Sequence, residues 1–227
     1  MVGKRQVRNA FIAFIAVIFI FFVSVFTSGC VEDLQEETNT SGEATTFEGK
    51  ELTPISKQRN NAIEGTQYID KDTYELRIYG MVEQSLNLSY EQLLAYPSIT
   101  RFIRLDCVEG WGFDAKWTGV AINTLFNDTG VNSSATTVIF YSSDGYSTSL
   151  ELDYLVENDI MLAYKINDIT LPADRGFPLQ LVAEDKYGYK WAKWITSIEV
   201  TDEPYKGYWE GVGYSNNADV GGPAFER

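Results

Sequence analysis

Short segments that alternate apolar and polar residues, punctuated by glycine, proline and aspartate, constrain this 227-residue chain more than any other feature. Tyr74-Glu-Leu-Arg-Ile-Tyr-Gly-Met-Val82 has the period of two expected of a strand buried on one face. Residues 100–107 repeat the pattern, with Phe102, Arg104 and Asp106 on one face and Ile103, Leu105 and Cys107 on the other. Residues 137–141 and 146–150 flank Asp144-Gly145 as a hairpin would. Residues 160–166, 179–183 and 194–200 predict three further strands, the last two joined through Asp185-Lys-Tyr-Gly-Tyr-Lys190. Helical stretches are short: residues 90–95, capped by Ser89 and stopped before Pro97, and residues 120–126. The pattern predicts an α+β or mostly β single domain with short helices over residues 59–227, without internal repeats or a glycine-rich phosphate loop.

Residues 1–29 read as an address rather than as part of that domain. Lys4, Arg5 and Arg8 precede an apolar run over residues 10–26, which ends in Thr27-Ser28-Gly29-Cys30. A basic patch, an apolar span and small residues before a cysteine predict an export signal with Cys30 as the lipid-attachment residue. Thr27 stands where an aliphatic residue is usual, and the run is long for a signal, so an uncleaved anchoring helix is the alternative. Either way the chain is expected on the extracytoplasmic face of the cell membrane, held through its N-terminus. Residues 30–58, rich in Glu, Thr, Ser, Asn and Gly, predict an acidic tether, because so little apolar surface cannot offset the entropy of ordering.

The chain contains no histidine and two cysteines, with 18 basic and 32 acidic side chains. Without imidazole there is no Ser-His-Asp triad, no Cys-His nucleophile pair and no His-ligated haem. Two cysteines cannot build a structural zinc or iron–sulfur site by themselves. The net charge of −14 opposes nucleic-acid binding, which needs a dense basic face.

Two features remain that could carry chemistry. Cys107 follows a strand end in Arg104-Leu-Asp-Cys-Val-Glu-Gly-Trp111, where a Gly-containing turn can present a side chain to a ligand. It reads either as an inert small hydrophobe or as a thiolate for a soft or high-valent metal. Lys186, Lys190 and Lys193, interleaved with Tyr187, Tyr189 and Trp191, read either as solvated stems packed on aromatics or as a positive site for an anionic cofactor.

Arg59-Asn60-Asn61, Cys107-Val-Glu-Gly-Trp111 with Trp117-Thr-Gly-Val120, Asp144-Gly-Tyr146, Gly176-Phe-Pro-Leu179, Lys186-Tyr-Gly-Tyr-Lys190 with Ala192-Lys193-Trp194-Ile195, and Asp202-Glu-Pro-Tyr-Lys-Gly-Tyr-Trp209 occur in that order. The ordered set resembles the molybdopterin-binding domain of the sulfite oxidase family, which includes the catalytic subunit of protein-methionine-sulfoxide reductase. The resemblance spans residues 59–219. It selects α+β with mixed β-sheets, a sulfite-oxidase-type fold, and implies a molybdenum atom, with tungsten the alternative, held by the two dithiolene sulfurs of a pterin and by Cys107. It further implies that Asn60, Asn61, Ser142, Arg175, Trp191, Ala192 and Lys193 bind the cofactor, Lys193 at the pterin phosphate and Trp191 and Ala192 through their backbone. Asn61 replaces a histidine of many relatives, and Gln180 replaces an arginine, whose charge Arg175 is expected to supply.

Sulfite oxidases proper follow their cysteine with Ala-Gly-Asn-Arg-Arg, whereas here the stretch is Cys107-Val-Glu109-Gly-Trp111-Gly. An acid and an aromatic stand where an anion would need cations, so Glu109 and Trp111 are expected, with Cys107, to form the catalytic pocket for a neutral or cationic substrate rather than sulfite. The implied activity is two-electron oxygen-atom transfer, for example on a sulfoxide or N-oxide. No haem-attachment motif is present in the chain, which implies a separate electron-transfer partner. The competing reading is a membrane-anchored binding module that keeps the fold without catalysis.

Overall fold

A computed structural model describes residues 42–226. The apolar run, Cys30 and the first part of the acidic segment lie outside the described residues. The elements are β1 (Thr46–Phe47), β2 (Lys50–Glu51), β3 (Glu75–Gly80), β4 (Leu86–Ser89), α1 (Tyr90–Leu94), β5 (Ser98–Asp106) and β6 (Gly112–Ala121). They continue with α2 (Ile122–Thr129), β7 (Thr137–Ser142), β8 (Ser147–Glu151), α3 (Leu152–Glu157), β9 (Met161–Ile166), β10 (Ile169–Thr170), β11 (Gln180–Val182) and β12 (Ile195–Thr201). One sheet runs β10-β9-β6-β5 and is antiparallel throughout, with β11 sharing the β9 edge with β10. The other runs β4-β3-β12-β7-β8, with β3 and β12 parallel and the remaining pairs antiparallel. The α+β class and the mixed sheets are those the sequence predicts.

Alternation places the buried side chains. Leu76 and Ile78 of β3, Ile103 and Leu105 of β5, Phe113, Ala115 and Trp117 of β6, and Ile198 and Val200 of β12 all point into one hydrophobic core shared by the two sheets. At roughly 1.5–3 kcal/mol for each large side chain, this burial is the main favourable contribution to folding. The Asp144-Gly145 turn joins β7 to β8, with Gly145 at φ +83, where a side chain would be strained. Ser89 caps α1 in a capping box with Gln92.

Three expectations change. First, the segment expected as a tether is part of the domain from residue 43 onward. The Glu43 Oε1 atom accepts from Ile55 N–H at 2.7 Å and from Asn167 Nδ2, Thr53 N–H donates to the Asp114 carbonyl at 2.8 Å, and Leu52 is buried. Backbone pairing and a few apolar contacts, Leu52 and Ile55 among them, hold it, which an argument from overall composition does not count. Second, residues 112–121, expected only to begin a helix at 120, form the longest strand. Val120 and Ala121 pair with Leu162 and Met161 of β9, so the helix starts at Ile122. Third, the last strand begins at Ile195, because Trp194 sits at φ +52 and turns the chain there. The sequence reading also passes over β4 and α3.

Gly119 marks the closest approach in the first sheet, where β6 shifts register against β9. A Cβ atom there would lie 2.1 Å from the Leu162 carbonyl oxygen and 2.6 Å from Ala163 Cα. Gly119→Ala should therefore cost about 1–3 kcal/mol or more, read as a lowered midpoint in urea denaturation.

Candidate active site

The β5–β6 ladder runs for nine residue pairs and closes through the turn that carries Cys107. Cys107 N–H donates to the Trp111 carbonyl at 2.8 Å, and its own carbonyl accepts from Gly110 N–H at 3.0 Å. Gly110 takes φ +84 inside this turn. The turn opens onto a cleft of about 400 Å³. Cys107, Glu109 and Trp111 line it together with Asn60, Asn61, Arg175 and Lys193, so seven of the residues expected at a site converge on one cavity.

The cleft is wired from end to end. The Lys193 ammonium donates to the Asn61 carbonyl at 2.6 Å and to Asn60 Oδ1, and the Asn60 amide donates to the Asp174 carbonyl. Asn61 Nδ2 donates to Glu109 Oε1 at 3.2 Å, and the Trp111 indole N–H donates to Glu109 Oε2 at 2.8 Å. These two donors hold the Glu109 carboxyl below the usual carboxylate range. Arg175, only 8% exposed, donates to the carbonyls of Ile55, Gln58 and Arg59 at 2.6–3.1 Å and thereby fixes the segment that carries Asn60 and Asn61. Its Nε atom is buried without a hydrogen-bond partner and faces the Asp174 carboxylate at 3.6 Å.

Cys107 is half-buried and is a free thiol. Burial pushes its pKa up, and the Glu109 charge adds to the shift, so the unliganded group is a thiol rather than a thiolate. Burial lowers the Lys193 pKa to about 8, with the Arg175 charge acting in the same direction. Trp194 packs beside this lysine, its ring 4.3 Å from Nζ.

Three expected site residues lie elsewhere. Trp191 and Ala192 are buried in the core: Trp191 N–H is bonded to the Gly188 carbonyl, Ala192 N–H to Lys190, and the Trp191 ring packs on Trp117. A tight 3-10 turn over Gly188–Lys190 consumes the backbone donors that were expected to face a ligand. Ser142 ends β7 behind the cleft wall, buried and with its hydroxyl unpaired; Asp144 and Tyr146 reach the cleft instead. The lysine cluster also divides. Lys190 is fully buried against Glu210, Lys186 pairs with Asp219, and Lys193 alone of the three lines the cleft.

Alternation and motif spacing did not reveal the aromatic wall. Tyr146, Tyr189, Tyr208, Trp209 and Tyr214 line the cleft, and adjacent rings meet at centroid distances of 5.1–5.9 Å. The signal available in the sequence was the aromatic density of residues 205–214, which follows the last strand without any strand period.

Unfolded Lys193 keeps its proton to about pH 10.5, whereas folded Lys193 sheds it near 8. Between those values the unfolded state binds more protons, so this residue's contribution to stability rises with pH, and its desolvation cost is felt in full below about 8. Urea denaturation of the cofactor-free protein should show the parent gaining stability relative to Lys193→Met as pH rises from about 7.5 to 9.5. A pH-independent difference would assign Lys193 an ordinary pKa.

Residues 63–209 match the family described as oxidoreductase molybdopterin binding domain. The uncharacterized oxidoreductase YuiH of Bacillus subtilis (strain 168) is 35% identical over 153 residues, covering 67% of this chain and 77% of that protein. The putative protein-methionine-sulfoxide reductase subunit YedZ1 of Azospira oryzae is 33% identical over 147 residues, 65% of this chain and 56% of that protein. The protein-methionine-sulfoxide reductase catalytic subunit MsrP of Gluconobacter oxydans is 34% identical over 147 residues, 57% of this chain and 47% of its own. The chain thus spans about half the length of these two sulfoxide-reductase relatives. Among solved structures, the sulfane dehydrogenase SoxCD from Paracoccus pantotrophus aligns with a TM-score of 0.59 at 24% identity, over 61% of this chain and 41% of that one. That likeness establishes a shared fold of the sulfite oxidase type.

Proposed function

The chain belongs to the oxidoreductase molybdopterin binding domain family, and on that premise we propose that it is an extracytoplasmic, membrane-anchored enzyme that transfers an oxygen atom to or from a small neutral or cationic substrate. The observation that carries the reading is the placing of the Cys107 thiol and the Lys193 and Arg175 cations on one cleft. The N-terminal basic patch, apolar run and Cys30 support the location, and electrons would be exchanged with a separate redox partner.

The residues fit the cofactor. Among the described residues no group of three or more His, Cys, Asp or Glu side chains could hold a metal, so a metal at Cys107 would take its other donors from a cofactor. Cys107 would supply the protein thiolate, giving up its proton on metal binding. Lys193, with two of its three N–H groups engaged, has one left for a phosphate oxygen, and Arg175 adds positive charge beside it, partly balanced by the Asp174 carboxylate 3.6 Å from its Nε. When bound, the molybdenum–pterin group supplies the two-electron oxygen-atom transfer.

The remaining roles belong to the chain. Asn61 joins the phosphate end of the cleft to the substrate end, holding Lys193 with its carbonyl and Glu109 with its amide. Glu109, fixed by Asn61 and Trp111, puts a negative charge two residues from Cys107 and repels anions such as sulfite. Trp111 and the aromatic wall give apolar contact and exclude water from the reacting group. Gln180 lines the cleft in place of the arginine usual in the family it resembles, which favours the binding-module reading, and cofactor content separates the two.

Protein made in a cofactor-producing host should contain molybdenum or tungsten and pterin at one per chain; folded protein free of both would refute the proposal. Cys107→Ser should retain the fold, lose at least 10²-fold in turnover of a sulfoxide or N-oxide, and change the metal's absorption spectrum. Glu109→Arg should improve binding of sulfite relative to a neutral sulfoxide by about tenfold, one charge reversal near the reacting centre being worth on the order of 1–2 kcal/mol.

A further inference from the structure

Behind the aromatic wall lies an ion pair that the reading above does not use. Lys190 and Glu210 are both 0% exposed. The Lys190 ammonium donates to Glu210 Oε1, to the Ser149 carbonyl at 2.8 Å and to Asn216 Oδ1 at 3.0 Å, which uses all three of its N–H groups. Thr148 Oγ1 donates to the same Glu210 oxygen, while Glu210 Oε2 is buried with no partner among the described residues. The pair therefore ties three segments at one point: β8, the 3-10 turn that carries Tyr189, and the C-terminal strap after Gly207.

The position of the pair along the chain is informative. Lys190 directly follows Tyr189, and Glu210 directly follows Trp209, both of which line the cleft. The strap presses on the edge of the second sheet without regular pairing. Tyr208 N–H donates to the Ser147 carbonyl at 2.9 Å, and a Cβ at Gly207 would lie 2.2 Å from the same oxygen. The rings that face the cleft meet at 5.2 Å for Tyr208–Trp209 and for Trp209–Tyr214. Val212 in the same strap is largely exposed, and Phe225, which meets Tyr214 at 4.6 Å, is more than half exposed, so apolar burial alone does not set where those rings stand.

We propose that the buried Lys190–Glu210 pair is a positioning device that sets the aromatic wall of the cleft. A buried pair is costly to desolvate and is often replaceable by apolar side chains without loss of stability. What an apolar replacement cannot reproduce is the directed set of bonds to Ser149, Thr148 and Asn216, each of which has one geometry. Ser149 Oγ and Ser147 Oγ hold Tyr205 where the strap begins, at 2.7 and 2.9 Å, and the pair fixes the strap beyond it, and through that the placing of Tyr208, Trp209 and Tyr214. The inference rests on the cleft's geometry and holds whether or not the protein carries molybdenum.

The test separates positioning from stability. Glu210→Gln leaves the buried ammonium without a counter-charge; amides of Gly211, Val212, Gly213 and Tyr214 should then exchange hydrogen at least tenfold faster, while those of β6 and β9 keep their protection. Lys190→Met with Glu210→Leu removes both charges. This double variant should unfold at or above the parent's midpoint yet keep the fast strap exchange and lose the near-ultraviolet circular dichroism that arises from the coupled Tyr208, Trp209 and Tyr214 rings. Parent-like strap exchange and ring signal in a stable double variant would overturn the proposal, as would unchanged strap exchange in Glu210→Gln. If every amide of Glu210→Gln loses protection together, the double variant alone decides between the two outcomes.

Discussion

The antiparallel ladder between β5 and β6 is the constraint on which the remainder of the molecule rests. Its nine paired positions start at Ser98 and Val120 and end at Asp106 and Gly112. Each pair fixes two backbones, so the turn at its end has little freedom left. That turn is Cys107-Val-Glu-Gly-Trp111, and its chemistry inherits the ladder's rigidity. The same ladder sends Phe113, Ala115 and Trp117 into the core and gives β9 an edge to join. A site built on a closed ladder can hold a thiol and a carboxylate two residues apart in fixed directions, which a free loop would not.

Electrostatics at the cleft runs against the chain as a whole. The protein is strongly acidic, yet Arg175 and Lys193 bring two poorly solvated cations to one cavity. Burial lowers the pKa of both, and the bonds that hold them go mainly to neutral oxygens: backbone carbonyls and the Asn60 amide. Such a site gains most from a ligand that restores negative charge, because the desolvation cost is already met by the folded structure. Glu109, held by Trp111 and Asn61, feels the charge of Arg59, and Lys193 feels that of Asp144, so both ends of the cleft carry charges of both signs. Asn61 is the residue that joins them. A histidine at that position would offer a titrating ring in place of an amide whose NH2 donates and whose oxygen accepts without change of charge.

Two ways of holding charge coexist in this domain. Arg175 is stabilised by carbonyls and orders the segment after residue 55, whereas Lys190 is stabilised by a carboxylate and orders the C-terminal strap. Both take a residue that the chain's acidity makes scarce and place it where backbone must be pinned without regular pairing. Gly207 completes the arrangement on the strap side, since only a residue without Cβ fits that close to Ser147. The strap also covers the exposed edge of β8, which would otherwise present unpaired backbone groups.

What the sequence determined by itself was local and periodic. Alternation at residues 74–82, 100–107, 137–150 and 160–166 marks strands because burial on one face needs a period of two. Cys107, Glu109, Trp111 and Lys193 stand out because few residue types can bind a metal, hold an anion or repel one. Only the tertiary structure decided which lysine meets the cleft. Lys186, Lys190 and Lys193 look alike within eight residues, and the 3-10 turn over Gly188–Lys190 sends Lys190 inward to Glu210 and leaves Lys193 facing Asn61. The same turn consumes the backbone donors of Trp191 and Ala192, and the long pairing of β6 with β9 overrides the helical appearance of residues 120 and 121. For Lys190, Lys193 and residues 120 and 121 the deciding partner is about twenty or more residues away along the chain. A hydrogen bond or a packed ring depends on distance in space, which local pattern does not contain.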